Sequence, residues 1–120
     1  MKYLFILNDP PYGTERSYNA LRLARNLAAK DAAEVRMFLL GDAAACAHGG
    51  QKVPQGYYNV ADMLSGLVRH KCIVSVCGTC MDARGIRDEE LVPGATRGTM
   101  DQLAEWSAWA DKVPGVLRPH

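Results

Sequence analysis

The sequence predicts one α/β domain with a mainly parallel sheet and helices on both faces. Short apolar runs alternate with helical patterns along the chain, giving the order βαβαβ(α)αβ. No internal repeat, low-complexity tract or interdomain linker interrupts the 120 residues, so residues 1–120 are expected to form one unit.

Residues 2–8 form the first strand-like run, centred on Tyr3-Leu4-Phe5-Ile6-Leu7, and a turn follows at Asp9-Pro10-Pro11-Tyr12-Gly13. Thr14 is placed to cap the next helix, where Ala20, Leu23, Ala24, Leu27 and Ala28 fall on one face. A second strand is predicted over residues 34–40, ended by Gly41-Asp42. Residues 43–58 have no clean period: part reads as a short helix, with a loop around His48-Gly49-Gly50-Gln51. Asn59, with Asp62 three positions on, signals a helix start, and Val60, Met63, Leu64, Leu67 and Val68 supply the apolar face. The β-branched run of residues 71–76 is the third strand and leads straight into Cys77. Residues 79–84 read as a short helix, followed by an acidic turn at Asp88-Glu89-Glu90 and then Pro93-Gly94. Thr99 and Gln102 form a capping-box pair for the last helix, with Met100, Leu103, Ala104 and Ser107 along one side. Trp106 and Trp109 share its flank. A final strand is expected within residues 110–117, at an edge because Pro114 cannot donate to a ladder.

Apolar residues make up 48% and charged residues 22%, which excludes disordered and fibrous classes. The net charge is +1 with no block of like charges, so neither direct nucleic-acid binding nor attraction to an acidic membrane is expected. The opening apolar run is too short for a span or a signal peptide. The expected compartment is the cytoplasm, where four cysteines are poor candidates for structural disulfides.

In a parallel sheet, functional groups gather at the carboxyl ends of the strands. Three segments meet there on this reading: residues 8–13, 41–46 and 77–85. Their chemistry-bearing members are Asn8 from the first, Asp42 and Cys46 from the second, and Cys77, Gly78, Cys80 and Arg84 from the third. Cys77 and Cys80 make a Cys-x-x-Cys where a strand meets a helix start. Backbone amides there favour thiolate over thiol, and Arg84 could act in the same direction. The thiolate is the nucleophile in sulfur transfer and disulfide exchange.

Duller readings compete. Most free cysteines are small buried apolar residues, and mid-strand Cys72 fits that description best. Cys46 could pack in a helix or supply a second thiol at the cleft rim. A zinc site would need Cys46 and His48 to complete Cys77 and Cys80, but only one close pair is present, so no metal is expected. A thioredoxin-like redox role is a third option, although the motif follows the third strand and not the first β unit. His70 is explained by a helix C-terminus, and His48 by a loop. No Gly-x-Gly-x-x-Gly follows a strand, so no nucleotide, and no other cofactor, is expected.

The segment Cys77-Gly78-Thr79-Cys80-Met81-Asp82-Ala83-Arg84-Gly85 resembles the cysteine motif of the DsrE/DsrF-like sulfur-relay family, in which a cysteine after a strand is followed about eight positions later by glycine with arginine before it. Residues 8–13, Phe38-Leu39-Leu40-Gly41-Asp42, residues 51–59 and Ala110-Asp111-Lys112-Val113 agree with it in order along nearly the whole chain. The resemblance implies a single domain with a mainly parallel five-stranded sheet, assembled into homotrimers or homohexamers. It also implies sulfane sulfur carried as a persulfide on Cys77, passed between donor and acceptor proteins. Cys80 is an addition relative to the pattern of carrier members. It could resolve a persulfide or close a disulfide. A binding or assembly module, in which a small ligand or partner occupies the cleft and the thiols are incidental, is the alternative. An intact, solvent-facing Cys77 at a strand end favours the carrier. A Cys77 buried without access favours the module.

Overall fold

The computed structural model describes residues 1–114. Four strands form one all-parallel sheet in the order β1 (Lys2–Leu7), β2 (Glu34–Leu39), β3 (Ile73–Cys77) and β4 (Ala95–Gly98). Helices α1 (Arg16–Ala28), α2 (Val60–Arg69), α3 (Gly78–Ala83) and α4 (Met100–Trp109) follow successive strands, and a 3-10 helix spans Gly41–Ala47. The α/β architecture, with helices on both faces, matches the sequence reading.

Alternation along the strands separates two apolar layers. Phe5, Leu7, Met37, Leu39, Val74 and Val76 join α1, α2, the 3-10 helix and Met81 of α3 in the larger one. Leu4, Phe38 and Cys77 pack with Leu103 and Trp106 of α4 in the smaller one. Cys77 therefore sits on the face that, among the described residues, α4 covers, at the carboxyl edge of β3.

Several local expectations are corrected. The position before α1 is Glu15, which makes no side-chain cap bond, and Thr14 Oγ1 only reaches the Arg16 amide at 3.4 Å. Asn59 does cap α2, accepting from the Asp62 amide at 3.0 Å. Thr99 caps α4 through the Gln102 amide at 3.2 Å, but the Gln102 side chain accepts from Ser75 Oγ (2.6 Å) instead of closing the box. The buried side of α4 is Leu103 and Trp106, while Met100 is exposed. The indole of Trp106 offers far more area for burial than Met100. Trp109 lies under the Arg36 guanidinium at 3.9 Å.

The sheet has four strands among the described residues, not five. Strand β4 was not anticipated, and the last expected strand shrinks to a parallel bridge between Tyr3 and Lys112, part of that expectation lying outside the described residues. Pro114 has no N–H to extend the pairing.

Gly98 ends β4 where an added Cβ would collide with Ser75 Oγ and Gln102 Oε1 and lie 3.0 Å from Phe38 Cε2. Gly98→Ala should overpack this corner and break the bond of a fully buried serine, costing about 1–3 kcal/mol. Thermal melting is expected to drop by several degrees; an unchanged melt contradicts the packing argument.

Candidate functional site

The carboxyl ends of β1, β2 and β3 converge as anticipated. Gly41, just past β2, lies 3.9 Å (as a built Cβ) from the Asn8 carbonyl, and its amide donates to Cys80 Sγ at 3.1 Å. Cys77 is both the last residue of β3 and the residue preceding α3. The helix stops after one and a half turns for a local reason. Gly85 adopts φ 67°, its amide reaches the Asp82 carbonyl (3.2 Å), and the Ile86 amide reaches Met81 (3.0 Å). This double closure needs a residue tolerant of left-handed backbone one place beyond Arg84, which accounts for the Arg-Gly ending of the cysteine motif.

The solvent-facing Cys77 expected of a carrier is not found: Cys77 is buried, 6% exposed, although it lines an open cleft of about 270 Å³ together with Gly78, Thr79, Arg97, Gly98 and Met100. Its Sγ lies 3.2 Å from Thr79 Oγ1. As a neutral thiol it makes no side-chain cap bond to α3, yet the Thr79 and Cys80 amides lie close enough to favour its anion. Burial alone would push its pKa up. The Cys80 thiol, the Thr79 hydroxyl and those two amides outweigh burial, and the pKa falls below the ordinary 9.0. A helix of six residues has a weak macrodipole, so these nearby donors carry the effect.

Cys80 moves the other way. Burial, the hydrogen bond to Cys77 and the Cys77 charge raise its pKa, against the Gly41 amide and Arg84, which lower it. The pair is thus divided into an anion-prone Cys77 and a proton-holding Cys80.

Arg84 does not turn to Cys77. Its guanidinium donates to Asp42 Oδ1 (2.8 and 3.3 Å) and to the Cys80 carbonyl (3.1 Å), tying α3 to the 3-10 helix. Asp42 is therefore its partner, and neither is placed among the residues lining the Cys77 cleft. Asn8 stands exposed after β1. Cys46 is fully buried, its Sγ 3.7 Å from the Asp9 carbonyl, so it is a core residue and not a rim thiol. Burial pushes it up to about 11 despite a hydrogen bond from Ser17. Cys72 is not in mid-strand but one residue before β3 begins; it is likewise buried and pushed up to about 11.

The guanidinium that does border Cys77 belongs to Arg97, which the sequence did not reveal. Arg97 donates from Nη1 to the Gly78 carbonyl (3.0 Å), from Nη2 to Asp82 (2.9 Å) and from Nε to Asp88 (2.9 Å). The two carboxylates raise its pKa further. Only a recognised β4 could have signalled it, through the register that sets Val76 opposite Arg97. His48 is turned elsewhere, with Nδ1 at the Gly49 carbonyl and Nε2 3.5 Å from Glu90, beside a separate hollow of about 490 Å³. Among the described residues no group of three or more His, Cys, Asp or Glu side chains is arranged to hold a metal ion, and no helix is long and apolar enough to cross a membrane.

Comparison with known proteins bears on the family and the fold. The DsrE/DsrF-like family model matches residues 1–113. The YchN protein of Escherichia coli is 40% identical over 113 residues, spanning 93% of this chain and 96% of that protein. An uncharacterized protein of Methanocaldococcus jannaschii is 36% identical over 113 residues, spanning 94% and 97%. The crystal structure of the E. coli ychN protein superposes with a TM-score of 0.88 at 39% identity, covering 94% of this chain and 97% of the other. A protein of unknown function from Methanobacterium thermoautotrophicum shares the fold, with a TM-score of 0.74 at 14% identity over 94% and 98%. The chain belongs to the DsrE/DsrF-like family, whose general association is with sulfur relay.

Proposed function

We propose that this protein carries sulfane sulfur as a persulfide on Cys77. The observation that carries the reading is a Cys77 that lines the cleft with its Sγ 3.2 Å from the Thr79 hydroxyl and its pKa lowered, next to a Cys80 outside that cleft whose pKa is raised. The Cys77 thiolate attacks the outer sulfur of a donor persulfide. An Sγ–S bond forms, the donor S–S bond breaks, and the donor leaves as a thiolate. An acceptor thiolate then attacks the outer sulfur of the Cys77 persulfide and regenerates the Cys77 thiolate. No net oxidation occurs.

A thiol–disulfide reading has one observation in its favour, the Cys-x-x-Cys spacing that puts Cys80 in the first turn of the helix Cys77 precedes. Attack of Cys80 on Sγ of a Cys77 persulfide would close a disulfide and expel hydrosulfide. The raised pKa of Cys80 opposes this at neutral pH, because a thiol is a far poorer nucleophile than a thiolate. Cys80 is thus assigned as the donor that steadies Cys77.

Donor and acceptor proteins, a cytoplasmic location, and assembly into trimers or hexamers belong to this reading. Tyr57 supports a subunit contact, being 70% exposed beside the stacked Tyr58–Tyr18 pair. Sedimentation as a lone 13.1 kDa species at micromolar concentration would remove the assembly from it.

The reading is tested by incubating the protein with a low-molecular-weight persulfide, then trapping, digesting and mapping by mass spectrometry. One added sulfur is expected on the peptide containing Cys77, at Cys77. Sulfur mapped to Cys46 or Cys72, or no sulfur at all, rejects it.

A further inference from the structure

Arg97 is the strongest unassigned feature near the reactive thiol. It stands on β4, on the strand beside the one that ends in Cys77, and its side chain lies across the first turn of α3. An added Cβ on Gly78 would lie 2.7 Å from Arg97 Nη1, 3.0 Å from Cγ and 3.2 Å from Cδ, so the guanidinium and its stem fill the space that a larger residue would need. Its three hydrogen bonds diverge: one to the Gly78 carbonyl, one to Asp82 further along α3, and one to Asp88 in the loop beyond. A planar fork can make all three at once, whereas an ammonium on a flexible stem cannot. With Asp82 and Asp88 both paired to it, Arg97 offers the cleft little uncompensated positive charge.

We propose that Arg97 is a positioning residue: its fork clamps α3 against β4 and so holds the Thr79 hydroxyl on Cys77 Sγ and the first amides of α3 near it. The inference rests on Cys77 as the reacting thiol and adds the group that shapes its surroundings. Arg97 acts through α3, not by touching the sulfur. The absence of a side chain at residue 78 follows from the same geometry, since Gly78 leaves the path of the fork open. A purely Coulombic role would need only a positive charge at residue 97, and lysine would satisfy it. A clamp needs the fork.

The test is the pH profile of Cys77 alkylation by iodoacetamide, followed residue by residue by mass spectrometry on the full chain. Arg97→Lys keeps the charge and loses the fork. Its midpoint is expected to rise by about one pH unit, with alkylation roughly tenfold slower near pH 7. Gly78→Ala keeps every charge and favours helix, but pushes the fork aside, and it is expected to shift the midpoint in the same direction. Circular dichroism confirms that each variant is folded, and little stability is at stake because the Arg97 ion pairs are partly exposed. A wild-type midpoint in folded Arg97→Lys overturns the clamp. Should Arg97→Lys fail to fold, a wild-type midpoint in Gly78→Ala overturns it equally. The readout does not involve persulfide, so a shifted midpoint in a protein that takes up no sulfur would sink the carrier reading and leave the clamp standing.

Discussion

Cys77→Ser is expected to lower persulfide uptake by at least about a hundredfold near pH 7, measured as the rate at which intact protein gains the mass of one sulfur. The three thiols that remain are poor substitutes, each for its own reason. Cys46 is fully buried on the inner side of the 3-10 helix and pushed up to about 11. Cys72 is buried in the larger core layer and also pushed up to about 11. A thiol with that pKa has only about one part in ten thousand as thiolate at pH 7. Cys80 is closer to solvent but also raised, and it does not line the cleft that opens on Cys77. Cys80→Ser supplies the contrasting arm. The serine hydroxyl can still donate to Cys77, so uptake should persist, while passage of sulfur to an acceptor thiol changes in rate. Uptake by Cys77→Ser at the wild-type rate would remove Cys77 from the centre of the reaction and leave Cys80 as the nucleophile.

Much of this site could be read from the chain because its parts are local in sequence. Strand, Cys77, short helix and Gly85 follow one another within a dozen residues, and each announces itself: β-branched residues for β3, a Cys-x-x-Cys at the helix start, and a glycine where the chain must turn left-handed. The Asn59 cap and the apolar stripe of α2 were legible for the same reason. What escaped depends on contacts distant in sequence. Strand β4 is only Ala-Thr-Arg-Gly, with no apolar alternation to separate it from a loop, so Arg97 carried no signal. Arg84 was the arginine near Cys77 in sequence, but Asp42, 42 residues away, captures it. Cys46 looked equally able to face core or cleft, and the 3-10 winding of Gly41–Ala47 turned it inward. On α4 the spacing allowed more than one buried face, and the size of Trp106 decided among them.

Arg97 also changes how the cysteine motif is understood. The features visible in the segment of residues 77–85 prepare a reactive thiol only if the short helix is held in place, and six residues are too few to be stable alone. The restraint comes from both flanks. Arg84 ties the end of α3 to Asp42, and Arg97 ties its first and penultimate residues to β4. Gly41 adds a third tether by donating to Cys80. The donors around Cys77 are therefore fixed before sulfur arrives, so little reorganisation accompanies formation of the anion.

The four thiols should separate by pH. With iodoacetamide and site-resolved mass spectrometry, Cys77 is expected to react first as pH rises, with a midpoint below 9.0. Cys80 should follow only above that value, and Cys46 and Cys72 near 11 or on unfolding. The ratio of Cys77 to Cys72 rates near pH 7 should exceed roughly one hundred, since alkylation follows the thiolate fraction. The same shifts set the sign of the stability change. Cys46 and Cys72 have folded-state values above the ordinary 9.0, so their contribution is complete below pH 9 and is lost as pH rises through about 11. Cys77 is depressed, so its contribution is complete above pH 9 and is lost as pH falls through its folded value. Two buried thiols outweigh one at the cleft, and the urea midpoint should fall between pH 9 and 11. Equal alkylation of Cys72 and Cys77 at neutral pH in folded protein would show that burial and hydrogen bonding do not distinguish the two thiols, and the assignment of Cys77 would fail with it.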